Sequence, residues 1–600
     1  MTRSGIIAAI IIAAALNLAI TSFWNESLIV DEVPHVGSGY GYVKNFDYRL
    51  NPEHPPLAKA LAAVPLLFLD LKQEAFQTKF WLQDINGQWD FGRFLIFQSG
   101  NDADLITRAV KFPILVFFII AAIQVYCWAQ RIYGKFAALI ALTIFAFSPT
   151  ILAHSRFVTT DTPALFGILL ATSFFLKYLF YPNRKNLWLA GITFGVAMLT
   201  KFSTFLLVPY FLILALVYRL TQSNSFKEDL TGLSKKEKKQ LLIFYPLRSI
   251  LIFIIGFILI VWPVYYLFTL NYPAERQLAD THFLLDSFGN RTLAEITEWM
   301  ADKPVIRAMG QYTLGLLMAS QRAAGGNTTY FLGEVSAEGW KHYFPIVYAL
   351  KEPLAWWIFV IAALIYLAWQ IKKPSGIRNF GSNINRFLRN HFVEFAMLLW
   401  LAIYWTTSIK SNLNIGVRHL LPTYPFAIIL VSGQLSKIRN ILKVHFKKFL
   451  LTTFYLLLSF LMGWYVYESV KVWPYYLTYF NQLAGGPSGG YRYVVDSNLD
   501  WGQDLRRLSQ WVEKNNIDKI HLDYFGWADP VYYLGPKFQW LTAGQYKNAQ
   551  DFINRTGGGY LAVSATFFMG SRGEPEKSYI WLQRYEPIAV IGNSIWIWKF

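Results

Sequence analysis

The sequence predicts a membrane all-α protein: a polytopic bundle of about eleven transmembrane helices with external loops and a small C-terminal α/β extracytoplasmic domain. Three observations predict it. Hydrophobic residues fill 54% of the 600 positions and charged residues only 15%, against about 25% charged in soluble domains. Several apolar runs exceed about 18 residues, enough to cross a hydrocarbon core. After position 470 the pattern changes to charged helices and short alternating segments, with no run long enough to span.

The first run, 5–26, is long enough to span, and no small-residue cleavage site precedes the acids that follow it, so it reads as an uncleaved first helix. Further runs lie near 109–130, 135–153, 162–181, 187–200, 203–219, 247–270, 353–371, 391–409, 420–436 and 448–468. Between the first two, Pro55-Pro56-Leu57 opens a helix and Trp81 and Trp89 follow, so interfacial helices are expected within 55–108. The chain thus divides into a helical part, 1–469, with external loops 27–108 and 271–351, and a tail, 470–600. In the tail, residues 500–504 lead into a helix with Leu505, Leu508, Trp511 and Val512 as its apolar positions. Segments 520–524 and 560–564 read as strands, and 588–599 as a hairpin around Gly592-Asn593.

The formal charge of +18 does not mark a nucleic-acid binder, because Lys and Arg punctuate the gaps between apolar runs instead of forming one patch. They act as orientation signals. With the N-terminus cytoplasmic, every strongly basic connection falls on one side: Arg131 to Lys135, Arg184-Lys185, 219–248 with Lys235, Lys236, Lys238 and Lys239, 371–390, and 437–448. Asp31, Glu32, Glu53, Asp161, Arg418, His419 and the tail then face the external side of a plasma membrane. Cys127 is the only cysteine, which excludes disulfides and cysteine-rich zinc sites within one chain.

Three external segments carry chemistry. Asp31 and Glu32 follow the first span; they read either as a solvated acidic helix end or as a general base with a neighbour that holds the acceptor. Glu53-His54-Pro55-Pro56 places an acid and an imidazole at a helix N-terminus, where partial positive charge favours anions such as phosphate. Lys59, one turn further on, is available to an anion or snorkels. Next come His154, Arg156 and Asp161, where Arg156 either clamps a phosphate or pairs with Asp161. A cation pair, Arg418-His419, enters a span from the external side, the wrong side for an orientation signal, and phosphate binding supplies a reason for it. The carboxylates and imidazoles at 35, 53, 54 and 161 suit a divalent ion, although their spacing does not specify one.

On these residues the chain resembles the bacterial membrane glycosyltransferases of the protein O-mannosyltransferase and aminoarabinose-transferase superfamily, the GT-C fold, and within it the phospholipid carrier-dependent glycosyltransferase type. The likeness rests on Asp31-Glu32, on Asn51-Pro52-Glu53-His54-Pro55-Pro56-Leu57, and on Ser148-Pro149 with Asp161-Thr162-Pro163. It extends to 414–422 and to the stretch from Phe480-Asn481 through Asp496-Ser497-Asn498-Leu499-Asp500-Trp501-Gly502-Gln503-Asp504. It implies inverting transfer of a sugar from a polyprenyl-phosphate donor to a protein, glycan or lipid acceptor on the external face. Asp31 then matches the family's first-loop base, Glu53 an acid that some relatives direct to a metal or the acceptor, and Asp161 the acid after the third span. Glu32 completes the catalytic acids, and His35, His54, Lys59, Arg156, Arg418 and His419 the substrate-binding set. Any metal would draw on Glu53, His54 and, by residue type alone, His282. His54 stands where aminoarabinose enzymes carry a lysine, and Pro34-His35 replaces their Arg-Tyr pair, which speaks against an aminoarabinose donor and a lipid A acceptor. A transporter of polyprenyl-linked sugars and a non-catalytic assembly subunit are the competing classes.

Overall fold

The computed structural model describes residues 2–222, 248–371, 387–445 and 448–600. Among these, seven helices are long and apolar enough to cross a membrane, or eight if a bent pair is one span. They are Arg3–Ser22, Ala103–Tyr133, Asp161–Phe180, Phe202–Thr221, Arg248–Phe268, Phe392–Lys410 and Lys448–Val472, with Tyr343–Lys351 and Leu354–Gln370 meeting at 111°. The remaining predicted runs are helical but shorter or more polar. The run at 135–153 is two helices, Lys135–Ala146 and Pro149–His154, because Pro149 restarts the chain behind Ser148, whose side chain takes the Ile151 N–H. The run at 187–200 is a helix of 15 residues, Arg184–Met198, too short to span at about 1.5 Å per residue. Most of the basic connections, including Lys235 to Lys239, Lys372, Lys373, Arg378, Arg386 and Lys447, lie outside the described residues.

Helix packing follows side-chain size. On Arg3–Ser22 the buried positions are small (Ser4, Ala8, Ala15, Ala19, Ser22), while Ile6, Ile7 and Ile10 remain on the surface, the distribution expected for a helix with lipid on one side. Gly191 and Gly195, spaced by four, abut Gly256 of the helix Arg248–Phe268, and a Cβ on Gly195 would lie 2.6 Å from the Gly256 carbonyl oxygen. That contact requires glycine.

After the helix Lys448–Val472 the chain runs through short 3₁₀ turns, Tyr476–Thr478 to Asp496–Asn498, packed among the helices. It then forms the helix Leu505–Lys514 and a five-stranded sheet. In spatial order the strands are Phe538–Trp540, Ile520–Asp523, Tyr560–Ser564, Ile595–Lys599 and Ala589–Ile591, the first two pairings parallel and the last two antiparallel. Gly592 and Asn593 both have positive φ, as the tight turn of the predicted hairpin requires. The Asp504 carboxylate packs against Gly592 and accepts the Ser594 hydroxyl at 2.6 Å. The tail is joined to the start of the chain: Ser27 N–H donates to the Gln503 carbonyl (3.1 Å) and Val30 N–H to that of Trp501 (2.9 Å). That junction positions the site.

Candidate active site

A chamber of about 780 Å³ opens between the first loop, the helix Arg307–Gly325 and the turn Val417–Thr423. Its wall carries Asp31, His35, Glu53, His54, Lys201, Arg322, Arg418 and His419, with Ser320, Gln321 and Ser408 among its other polar residues and Phe202, Phe205, Leu206, Leu316 and Met318 among its apolar ones. Asp31 stands at the N-terminal boundary of the helix Glu32–Asn45 without a side-chain capping bond, and Asp161 opens the helix Asp161–Phe180. Arg418 joins them: its Nη1 lies 3.0 Å from Asp31 Oδ2 and 3.2 Å from Asp161 Oδ2. Asp161 also receives Lys201 at 2.5 Å. The guanidinium stacks on Trp501 at 4.1 Å, and its Nε donates to Ser497 Oγ at 3.1 Å. The turn that carries Arg418 is pinned by the same tail segment, since Asn498 Oδ1 accepts the Val417 N–H at 2.9 Å. Two tail side chains and two carboxylates therefore fix one arginine at the chamber wall.

Elsewhere in the chamber wall, Gln88 and Asn86 donate to the Glu53 carboxylate at 2.6 and 3.3 Å. His35 and His54 sit edge to face, 4.9 Å apart. His35 Nδ1 donates to the Val158 carbonyl at 2.7 Å, so Nε2 is its acceptor. Burial, against the pull of Asp31, holds the His35 imidazolium below its usual range; burial and then His35 do the same to His54. Burial, followed by Lys201 and Arg418, holds the pKa of His419 well below the usual imidazole range. Among the described residues His54 Nδ1 and His419 Nε2 are buried without a hydrogen-bond partner, which is costly unless a ligand supplies one.

Four expected site residues lie elsewhere. Lys59 is fully buried and donates to Tyr42 Oη, both Asn51 oxygens and the His54 carbonyl at 2.6–2.8 Å. All its protons are engaged in shaping the 51–54 loop, which leaves none for an anion. Glu32 points away from the chamber: it accepts the Ile29 and Val158 N–H groups and faces Lys111 at 3.3 Å. Arg156, likewise buried, pairs with Glu26 and not with Asp161. His282 is largely exposed beside Glu298, at 3.0 Å, and is absent from the chamber lining. Glu53, His54 and His282 therefore do not converge. Among the described residues no group of three or more His, Cys, Asp or Glu side chains could hold a metal ion.

Sequence reasoning missed two features. Two cations of the chamber wall went unremarked as site residues, Lys201 in the gap between the runs 187–200 and 203–219, and Arg322; a lone cation beside an apolar run is itself a functional signal. The other is a buried ion cluster centred on Glu26, with Arg156, Lys111 at 3.6 Å, Arg507 at 3.5 Å, and Asp504 beyond Arg507. Burial alone would raise the Glu26 pKa, but Arg156, Lys111 and Arg507 together hold it below the usual carboxylate range. Among the described residues, Glu26→Ala leaves the buried Arg156 without a carboxylate and takes one of two from Lys111 and Arg507. It is expected to destabilise the protein by about 3–5 kcal/mol, read as a fall in Tm in detergent, with a smaller fall for Glu26→Gln.

These geometries can be set against known proteins. The family model described as dolichyl-phosphate-mannose-protein mannosyltransferase matches residues 104–233. The Archaeoglobus fulgidus oligosaccharyltransferase in the apo form aligns with 98% of this chain and 73% of its own, at 12% identity and a TM-score of 0.50. The Saccharomyces cerevisiae protein O-mannosyltransferase Pmt1-Pmt2 complex bound to the sugar donor aligns over 79% of this chain and 90% of its own, at 14% identity and a TM-score of 0.52. The chain has the GT-C fold. ArnT from Cupriavidus metallidurans in the apo state covers 98% and 97% of the two chains at 12% identity, but its TM-score of 0.29 carries no argument. No curated protein sequence matches. The GT-C helices account for the position of the chamber: Asp31 follows the first helix, and Asp161 opens another on the same side of the bundle.

Proposed function

We propose that this GT-C chain is a multi-pass membrane enzyme that moves a sugar from a polyprenyl-phosphate donor to a protein, glycan or lipid acceptor, with inversion, on the extracytoplasmic face. One observation carries the reading: Arg418 is clamped at a chamber wall by Asp31, Asp161, Ser497 and Trp501. A guanidinium there suits a departing phosphate by charge and by its forked geometry. The apolar side chains of Phe202, Phe205, Leu206 and Leu316 suit the isoprenoid beside it.

In this reading the donor phosphate competes with Asp31 for Arg418 and frees the carboxylate. Asp31 takes the proton of the acceptor nucleophile as its oxygen or nitrogen bonds to the anomeric carbon. The bond from that carbon to the phosphate oxygen breaks, and the electron pair leaves with the polyprenyl phosphate. Arg418, with Lys201 and the His419 imidazole near it, stabilises the charge that develops there, commonly the largest catalytic contribution. Asp161 neutralises Lys201 and Arg418 and holds both in place. Glu53 with His54 serves the acceptor side.

The helix directions support an external site. Ala103–Tyr133 and Asp161–Phe180 start near the chamber and end toward Arg131 and the Arg184-Lys185 pair, so the basic ends lie opposite the acids. The test is an assay of the purified full chain in lipid with radiolabelled polyprenyl-phosphate sugars. Acceptor-dependent release of free polyprenyl phosphate is expected. Recovery of the donor intact on the other leaflet would identify a transporter instead.

A further inference from the structure

A second polar pocket lies at the other end of the bundle. It encloses about 160 Å³ and is lined by Gln124, Cys127, Trp128 and Arg131 of the helix Ala103–Tyr133, and by Ser173, Phe174 and Lys177 of Asp161–Phe180. Lys177 is sixteen residues beyond Asp161, so at about 1.5 Å per residue it lies roughly 24 Å from the chamber end of its helix. The pocket is thus near the opposite membrane surface. It faces outward: Ile120, Ile123 and Cys127, which follow one another along the helix, are all exposed.

The pocket has a definite internal order. Arg131 and Lys177 form its rim, and among the described residues neither is paired with a carboxylate. One to two turns deeper, Gln124 donates to Ser173 Oγ at 2.5 Å, leaving the Gln124 carbonyl as an acceptor and the second amide hydrogen as a donor. Trp128 and Phe174 supply an apolar bed. Two cations above a donor–acceptor pair, on helices whose outer faces are apolar, match a phosphodiester with a hydroxyl-bearing head group and its acyl chains alongside. We propose that this pocket binds the head group of an anionic phospholipid in the leaflet opposite the chamber. If Arg131 and Lys177 only orient the chain in the membrane, no preference among lipids follows.

Cys127 lines the pocket and is the only cysteine in the chain, so thiol labelling of the full chain reports on this place alone. The experiment compares maleimide labelling rates of the chain in nanodiscs of phosphatidylcholine and in nanodiscs that also contain phosphatidylglycerol. Two cations near a lipid phosphate correspond to roughly a thirtyfold preference, and labelling is expected to slow by about tenfold with phosphatidylglycerol. The double variant Arg131→Gln/Lys177→Gln should label equally fast in both. Equal rates for the wild type, or slowing that persists in the variant, would overturn the proposal. So would equal protection by inorganic phosphate in phosphatidylcholine, which marks a free-anion site. Should the variant fail to fold, native mass spectrometry of the wild type decides, with equal retention of the two lipids counting against the site.

Discussion

Asp31→Asn is expected to lower turnover by about a thousandfold, within the usual contribution of a general base, while donor binding changes by only a few-fold. The asparagine oxygen can still accept from Arg418, which approaches the carboxylate at 3.0 Å and remains fixed by Asp161, Ser497 and Trp501. The substitution therefore removes the proton acceptor and leaves the phosphate site intact. Release of polyprenyl phosphate and donor affinity, measured on the same preparation, separate the two effects. Turnover within tenfold of wild type would remove Asp31 from the base role. Glu32→Gln is the informative partner: adjacent in sequence, it lies outside the chamber among backbone N–H donors and Lys111. Its effect should appear in Tm, with kcat retained by the folded fraction.

Arg418→Lys should lower kcat/KM by about two to three orders of magnitude, the loss typical when one preorganised electrostatic group is removed. The lysine keeps the positive charge, so Asp31 and Asp161 are not left as uncompensated neighbours and the fold should persist. What it loses is the planar fork, the stack on Trp501 and the bond to Ser497 Oγ. An unchanged Tm with a fall mainly in kcat is the expected split. A fall below tenfold would mean that the leaving phosphate is stabilised elsewhere, with Lys201 the first alternative.

Much of this architecture can be read locally. Apolar runs of membrane length and the Gly592-Asn593 turn each report on the few residues around them, and the structure has helices and a turn at those places; the run at 135–153, read as one span, is instead broken at Pro149. The run at 187–200 shows where this stops. Its composition is apolar, yet its helix is short, and its glycines serve contact with the helix Arg248–Phe268. The site was legible by residue type and less so by role. Asp31, His35, Glu53, His54, Arg418 and His419 line one chamber, and Asp161 lies directly behind Arg418. Lys59 and Arg156 carry the right charge for an anion, but Lys59 is occupied by protein oxygens, and Arg156 is paired with Glu26 and buried outside the chamber lining.

The amino-acid order alone determined the membrane class, the places of most long helices and of the tail strands near 520, 560 and 590, though not of the strand Phe538–Trp540, and the acids and cations available for chemistry, because hydropathy and turn formation act over a few residues. Tertiary structure decided which of them work together. Asp31 and Arg418 are 387 positions apart, and two of the four residues that hold Arg418, Ser497 and Trp501, come from a tail segment with no apolar period to announce it. A buried charge is satisfied by whatever the fold brings within a few ångströms, so Asp31 and its neighbour Glu32 face opposite surroundings. No local pattern encodes that choice.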